Sequence, residues 1–244
     1  MARGLQPVRA LRQECPRGPP LKRLIIVVEG PTEGEFVKHV LGPHLDARSV
    51  FTSTLIVTTR RDELTGAKLN KGGGPWRNWD RDLRRVMGEN PGPDVAFTTL
   101  IDLYGLPKDF PQLEALSGIG DTRHRASEVE AVLSKQFGDR RFIPYVQRHE
   151  FEALVLASLR ALAGVLDAEE DLQGLEQLHS DIAGHPPEDV NDGPETAPSK
   201  RLLARIPSYR KRLHGPLAVE STGLASLRAA CPRFDAWVTR LEGL

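Results

Sequence analysis

Apolar positions along the chain follow two rhythms. Leu24-Ile25-Ile26-Val27-Val28 is an unbroken, largely β-branched run, the pattern of a parallel strand covered on both faces. Glu29-Gly30-Pro31 ends it. Thr32 as an N-cap, with Glu35 three residues on, then predicts a helix whose apolar face is Phe36, Val37, Val40 and Leu41. Thr54–Thr58, Val95–Ile101 and Phe142–Val146 read as further strands, with helices over Trp79–Val86 and Ser127–Phe137. Asp62–Pro75, with Gly72-Gly73-Gly74 inside it, reads as a long flexible loop. After Glu150 the spacing turns helical through Phe151, Leu154, Val155 and Leu159, and Pro207, Pro216 and Pro232 divide the C-terminal stretch into short helices.

Strands that alternate with helical segments predict an α/β fold with a mostly parallel, four-stranded sheet flanked by helices, because parallel strands need crossovers. Residues 1–20, which carry Arg3, Arg9, Arg12 and Arg17, are expected to form a flexible basic tail. Residues 21–160 form the α/β core, and residues 161–244 a helical extension that packs on it and completes the site. A length of 244 residues accommodates this as one large domain with an extension.

Lys plus Arg and Asp plus Glu balance at 33 each, so any nucleic-acid surface has to be local. The two cysteines, Cys15 and Cys231, lie near opposite ends, which excludes a zinc module and a disulfide framework. No apolar run approaches the ~20 residues of a membrane helix. A cytoplasmic protein without membrane association is expected.

Chemistry enters with the residues that follow the strands, where open α/β sheets bind ligands. Glu29 follows the first strand, Asp102 the third, and His149-Glu150-Phe151-Glu152 the fourth, while Glu33 lies in the first helical turn. Carboxylates gathered at one place repel and raise one another's pKa unless a cation lies between them. Oxygen-only ligands point to Mg²⁺ or Mn²⁺, and hence to phosphoryl chemistry. Glu33 also suits a helix N-terminus on dipole grounds alone, and so does Glu150. His149 fits a ligand, a base or a structural role. His149-Glu150 does not extend to HExxH, because Ala153 stands in the last position, and neither GxxxxGK[ST] nor GxGxxG occurs.

Val28-Glu29-Gly30-Pro31-Thr32-Glu33 resembles the strand-end signature of TOPRIM domains in overcoming-lysogenization-defect (OLD) nucleases. With IDLYGLPKDFP, FIPYVQRHEFEAL and ETAPSKR, roughly residues 24–240 resemble the bacterial family catalogued as domain of unknown function 4276. The resemblance implies a Mg²⁺-dependent nuclease. Glu29, Asp102 and Glu152 would hold metal, Glu33 would position a second ion or its water, and Lys200 would neutralise charge on phosphate. The second aspartate of the TOPRIM D-x-D pair is replaced by Tyr104, a loss that Asp109 or Glu150 would have to make good. DNA and a separate ATPase are the implied partners, in phage defence or a mobile element, with a homodimer as a further expectation.

The segment around the glycine loop adds Lys68, Lys71, Trp76, Arg77 and Arg81, suited to gripping a nucleic-acid backbone and stacking bases, although tryptophans at a helix start also serve as core anchors. Two other functions suit the same residues. One is a non-catalytic module that docks a partner; the other is a phosphohydrolase for small phosphate esters with the glycine loop as its lid.

Overall fold

The computed structural model describes residues 21–61, 68–71, 74–191 and 193–244. The expected basic tail and most of the glycine loop lie outside them. The described residues form the strands β1 Lys22–Val28, β2 Val50–Ile56, β3 Thr58–Arg61, β4 Lys68–Lys71, β5 Val95–Asp102, β6 Phe142–Ile143 and β7 Val146–Gln147. The helices are α1 Pro31–Phe36, α2 Gly42–Asp46, α3 Trp76–Glu89, α4 Leu113–Ser117, α5 Thr122–Phe137, α6 Glu152–Leu156, α7 Leu159–Leu162, α8 Glu169–Asp181, α9 Pro198–Arg205, α10 His214–Thr222, α11 Leu224–Ala230 and α12 Pro232–Glu242. A π-helical turn over Val37–Leu41 joins α1 to α2.

The main sheet runs β2-β1-β5-β6, all parallel, with β7 also paired to β5. The sequence predicts one fourth strand, and the structure splits it in two. Pro144 has no N–H to give the ladder, and Thr99 Oγ1 bridges the gap, accepting from Tyr145 N and donating to Tyr145 O, both at 2.9 Å. The second strand starts at Val50 instead of Thr54. Lys68–Lys71, expected as loop, pairs antiparallel with Thr58–Arg61 as a separate ribbon.

Alternation along β1 divides the core into two layers. Leu24, Ile26 and Val28 pack with Phe36, Leu41 and the C-terminal helices up to Leu241, while Ile25 and Val27 pack with Trp79 and Leu83 of α3 and Val129 and Leu133 of α5. The C-terminal part is fastened to the sheet by a buried hydrogen bond from Trp237 Nε1 to Thr98 Oγ1 (2.9 Å) and by stacking of Trp237 on Tyr145, with centroids 4.4 Å apart. Among the described residues no strand follows Gln147, and no helix is long and apolar enough to cross a membrane.

Candidate metal centre

Val28 pairs with Leu100 in the parallel ladder, so Glu29 and Asp102 leave adjacent strands side by side at their carboxyl ends. Beside them β7 sets Gln147 against Asp102. The chain then turns through His149, whose φ of 64° lies in the left-handed region, and enters α6 with Glu150 and Glu152. These carboxylates share one electrostatic neighbourhood. Burial, then Glu33, pushes Glu29 up to about 7. Burial, then Glu33, Glu29, Glu152 and Glu150, holds the Asp102 carboxyl well above the usual carboxylate range.

Three of the five acids are engaged elsewhere. Glu33 turns back so that its Oε2 accepts from Gly30 N at 2.9 Å. It therefore satisfies the backbone N–H of the N-cap Gly30 from the third helical position, so the helix starts two residues earlier than the Thr32–Glu35 box expected from the sequence. Glu150 Oε2 accepts from Ser199 N (3.0 Å), in the first turn of α9. Glu152, 4% exposed, meets Lys211 Nζ at 3.3 Å. Glu29 Oε2 and Asp102 Oδ1 remain, both buried and both without a hydrogen-bond partner.

These engagements explain why, among the described residues, no three acidic, histidine or cysteine side chains stand together as ligands in their present rotamers. Two orphaned buried oxygens at adjacent strand ends, with the raised carboxyls of Glu33 and Glu152 beside them, fit a hard divalent cation. Mg²⁺ needs only one or two protein carboxylates and completes its octahedron with water and phosphate.

Among the described residues, the fold brings Lys211 to the cluster. It lies between α9 and α10 and opposes the upward shifts of Glu29, Glu33 and Glu152. Lys200, the resemblance-based choice, is exposed, 4.0 Å from Glu195 Oε2. Its neighbour Ser199 turns toward Glu150, so the ETAPSKR segment reaches the site through backbone, not through its lysine. Tyr209, also missed, is buried with its hydroxyl unpartnered; burial and then Glu152 and Glu150 push its phenol up. The basic run Arg210-Lys211-Arg212 behind Pro207 was the available signal for this segment.

The model described as "Domain of unknown function (DUF4276)" matches residues 28–242. The chain belongs to the DUF4276 family. It is also similar in structure to the C-terminal region of the Xanthomonas campestris pv. campestris OLD protein. One structure of that region is 19% identical at a TM-score of 0.42, with 90% of this chain and 95% of that one covered. A second is 18% identical at a TM-score of 0.38, with 91% and 98% covered. No curated protein matches.

The remaining residues of interest in this DUF4276 member make contacts of their own. Asp109 Oδ1 accepts from Trp76 N at 2.7 Å and caps α3. His149 is 1% exposed, contacts Thr122 Oγ1 through Nε2 at 3.0 Å, and is lowered to about 4 by burial and then by Arg148, which leaves it neutral at pH 7. Trp76 is 7% exposed and packs edge-on against Phe110, with centroids 4.8 Å apart, so it anchors the core and offers no face to a base. Arg77 is exposed on α3, and Arg81 Nε is paired with Asp82 Oδ1 at 3.0 Å. Lys68 and Lys71 belong to β4, but their side chains lie outside the described residues.

Proposed function

We propose that this DUF4276 protein is a TOPRIM-like nuclease, dependent on Mg²⁺ or Mn²⁺, that hydrolyses phosphodiester bonds of nucleic acid. The observation that carries the reading is the pair of buried, unpartnered oxygens on Glu29 and Asp102 at adjacent carboxyl ends of a parallel sheet. Glu29 and Asp102 would hold the ion. When bound, Mg²⁺ offsets the repulsion within the acidic cluster and the charge of a phosphodiester.

The other residues act around that pair. Glu152 orients the Lys211 ammonium toward the carboxylates, where it can neutralise charge developing on a phosphate. Glu33 fixes the turn that delivers Glu29, and Glu150 ties α9 to the site. DNA as substrate, a separate ATPase and a second copy of the chain as partners, phage defence or a mobile element as the setting, and a cytoplasmic location belong to the same proposal.

A second reading, a non-catalytic docking module, is favoured by the engagement of Glu33, Glu150 and Glu152 and by Tyr104 in place of an acid. Incubating plasmid with Mn²⁺ separates the two. Cleavage that disappears in Glu29→Ala and Asp102→Ala, with both variants folded, is the expected result. Undiminished cleavage in both, or none by the unaltered protein, removes the proposal.

A further inference from the structure

Beside the carboxylates lies a cleft of about 490 Å³ that the proposed chemistry leaves unused. Its lining includes Tyr104, Thr122, Arg125, Arg148 and Asn191. We infer that this cleft is a phosphate subsite, which takes a phosphate of the substrate strand next to the one cleaved. The inference rests on the nuclease reading for its substrate, but on separate residues for its existence.

Arg125 supplies the charge. Its Nε and one terminal nitrogen both donate to the Ile119 carbonyl, at 2.9 and 2.6 Å, which fixes the plane of the guanidinium. It has no carboxylate partner among the described residues, and a half-buried, unneutralised guanidinium is a ready partner for phosphate oxygens. Arg148 is held more tightly. Its Nε donates to Thr122 Oγ1 at 2.8 Å and its Nη1 pairs with Asp189, which is also the partner of Arg123. Among the described residues Asp121, at the rim, is the lining carboxylate; it is exposed and accepts from Arg123 N at 2.8 Å.

Tyr104 supplies direction. Asn191 Oδ1 accepts from Gly193 N (3.1 Å), so the amide must turn its Nδ2 toward Tyr104. That nitrogen donates to the Tyr104 oxygen. The phenolic proton is therefore left free to donate to a ligand oxygen.

Tyr104 stands two residues after Asp102, and its hydroxyl feels Arg125 and Arg148 as cations and Glu150 as an anion, which puts the cleft on the border of the acidic cluster. In place of a second metal-binding acid, this chain carries a donor that faces a basic cleft. Ordinary backbone phosphates and a terminal phosphate present the same oxygens to it.

The test is fluorescence anisotropy of a labelled oligonucleotide with the full chain in EDTA, where no metal-dependent turnover occurs. One probe carries a 5′-terminal phosphate and one lacks it, and inorganic phosphate serves as competitor. Arg125→Gln, which keeps a donor for the Ile119 carbonyl, is expected to weaken binding about 10-fold or more, and Tyr104→Phe about 3-fold, with unchanged melting temperatures. Loss confined to the phosphorylated probe assigns the cleft to strand ends; equal loss assigns it to backbone phosphates. Binding equal to that of the unaltered protein in both variants, no competition by phosphate, or no binding by the unaltered protein overturns the inference. If Arg125→Gln loses binding while no protein cleaves with Mn²⁺, the subsite stands and the nuclease reading falls. If both cleave with the same KM, the reverse holds.

Discussion

Gly105 lies so close to Glu29 that a Cβ built on it would stand 2.5 Å from Oε2 and 3.1 Å from Cδ. The turn Leu103–Gly105, which comes directly after Asp102, therefore forms one wall of the space the Glu29 carboxylate occupies. Two strand ends and one small residue set the position of the Glu29 carboxylate.

Gly105→Ala tests that contact. The added methyl must displace Glu29 or the turn, so cleavage is expected to fall about 10-fold or more while the protein melts within a few degrees of the unaltered chain. Kinetics and thermal melting, measured together, check this. Undiminished cleavage would mean that Glu29 has room to spare and is not held for a ligand.

Lys211 and Lys200 give a direct contrast between geometry and resemblance. Lys211→Met is expected to lower kcat about 100-fold, the usual scale for loss of one charge-stabilising donor, while Lys200→Met stays within about 2-fold. Single-turnover cleavage assays decide between them. The opposite ranking would restore the assignment drawn from the family pattern.

Stability should depend on pH in a direction set by the acidic cluster. Glu29 is raised from 4.5 to about 7, so between those values the folded chain holds a proton that the unfolded chain has lost. Stability then falls as pH rises through that window, and Glu33, Asp102 and Glu152, also raised, add to the fall, while His149, lowered from 6.5 to about 4, acts in the opposite direction below about pH 6.5. Asp139 and Glu242 are held below the usual range by Arg141 and Arg228, and their stabilisation is lost only at lower pH. In EDTA the melting temperature should drop between about pH 6.5 and pH 8, Glu29→Gln should flatten the drop, and Mg²⁺ should restore stability mainly at the upper end. A melting temperature that rises over that range contradicts the cluster as described.

What the sequence made legible was whatever depends on short-range pattern. The apolar run Leu24–Val28 and its acidic exit at Glu29 specify a buried parallel strand and its acidic carboxyl end, and the same rule puts Asp102 at the end of β5. Features that depend on partners far along the chain were not legible. Glu150 reaches Ser199, 49 residues away, and Lys211 meets Glu152 only because α9 and α10 fold back over α6. Trp76 and Asp109 looked polar-site material in their local context, yet Asp109 binds the first N–H of α3 and Trp76 closes against Phe110. A periodicity argument sees neither, because both contacts span 33 residues or more.

The most direct test of the metal centre is anomalous scattering from a crystal of the full chain soaked in Mn²⁺. One anomalous peak is expected about 2.0–2.3 Å from carboxylate oxygens of both Glu29 and Asp102, absent when Glu29→Gln crystals are soaked alike. A soaked crystal with no peak there, or a peak that persists undiminished in Glu29→Gln, would contradict the account.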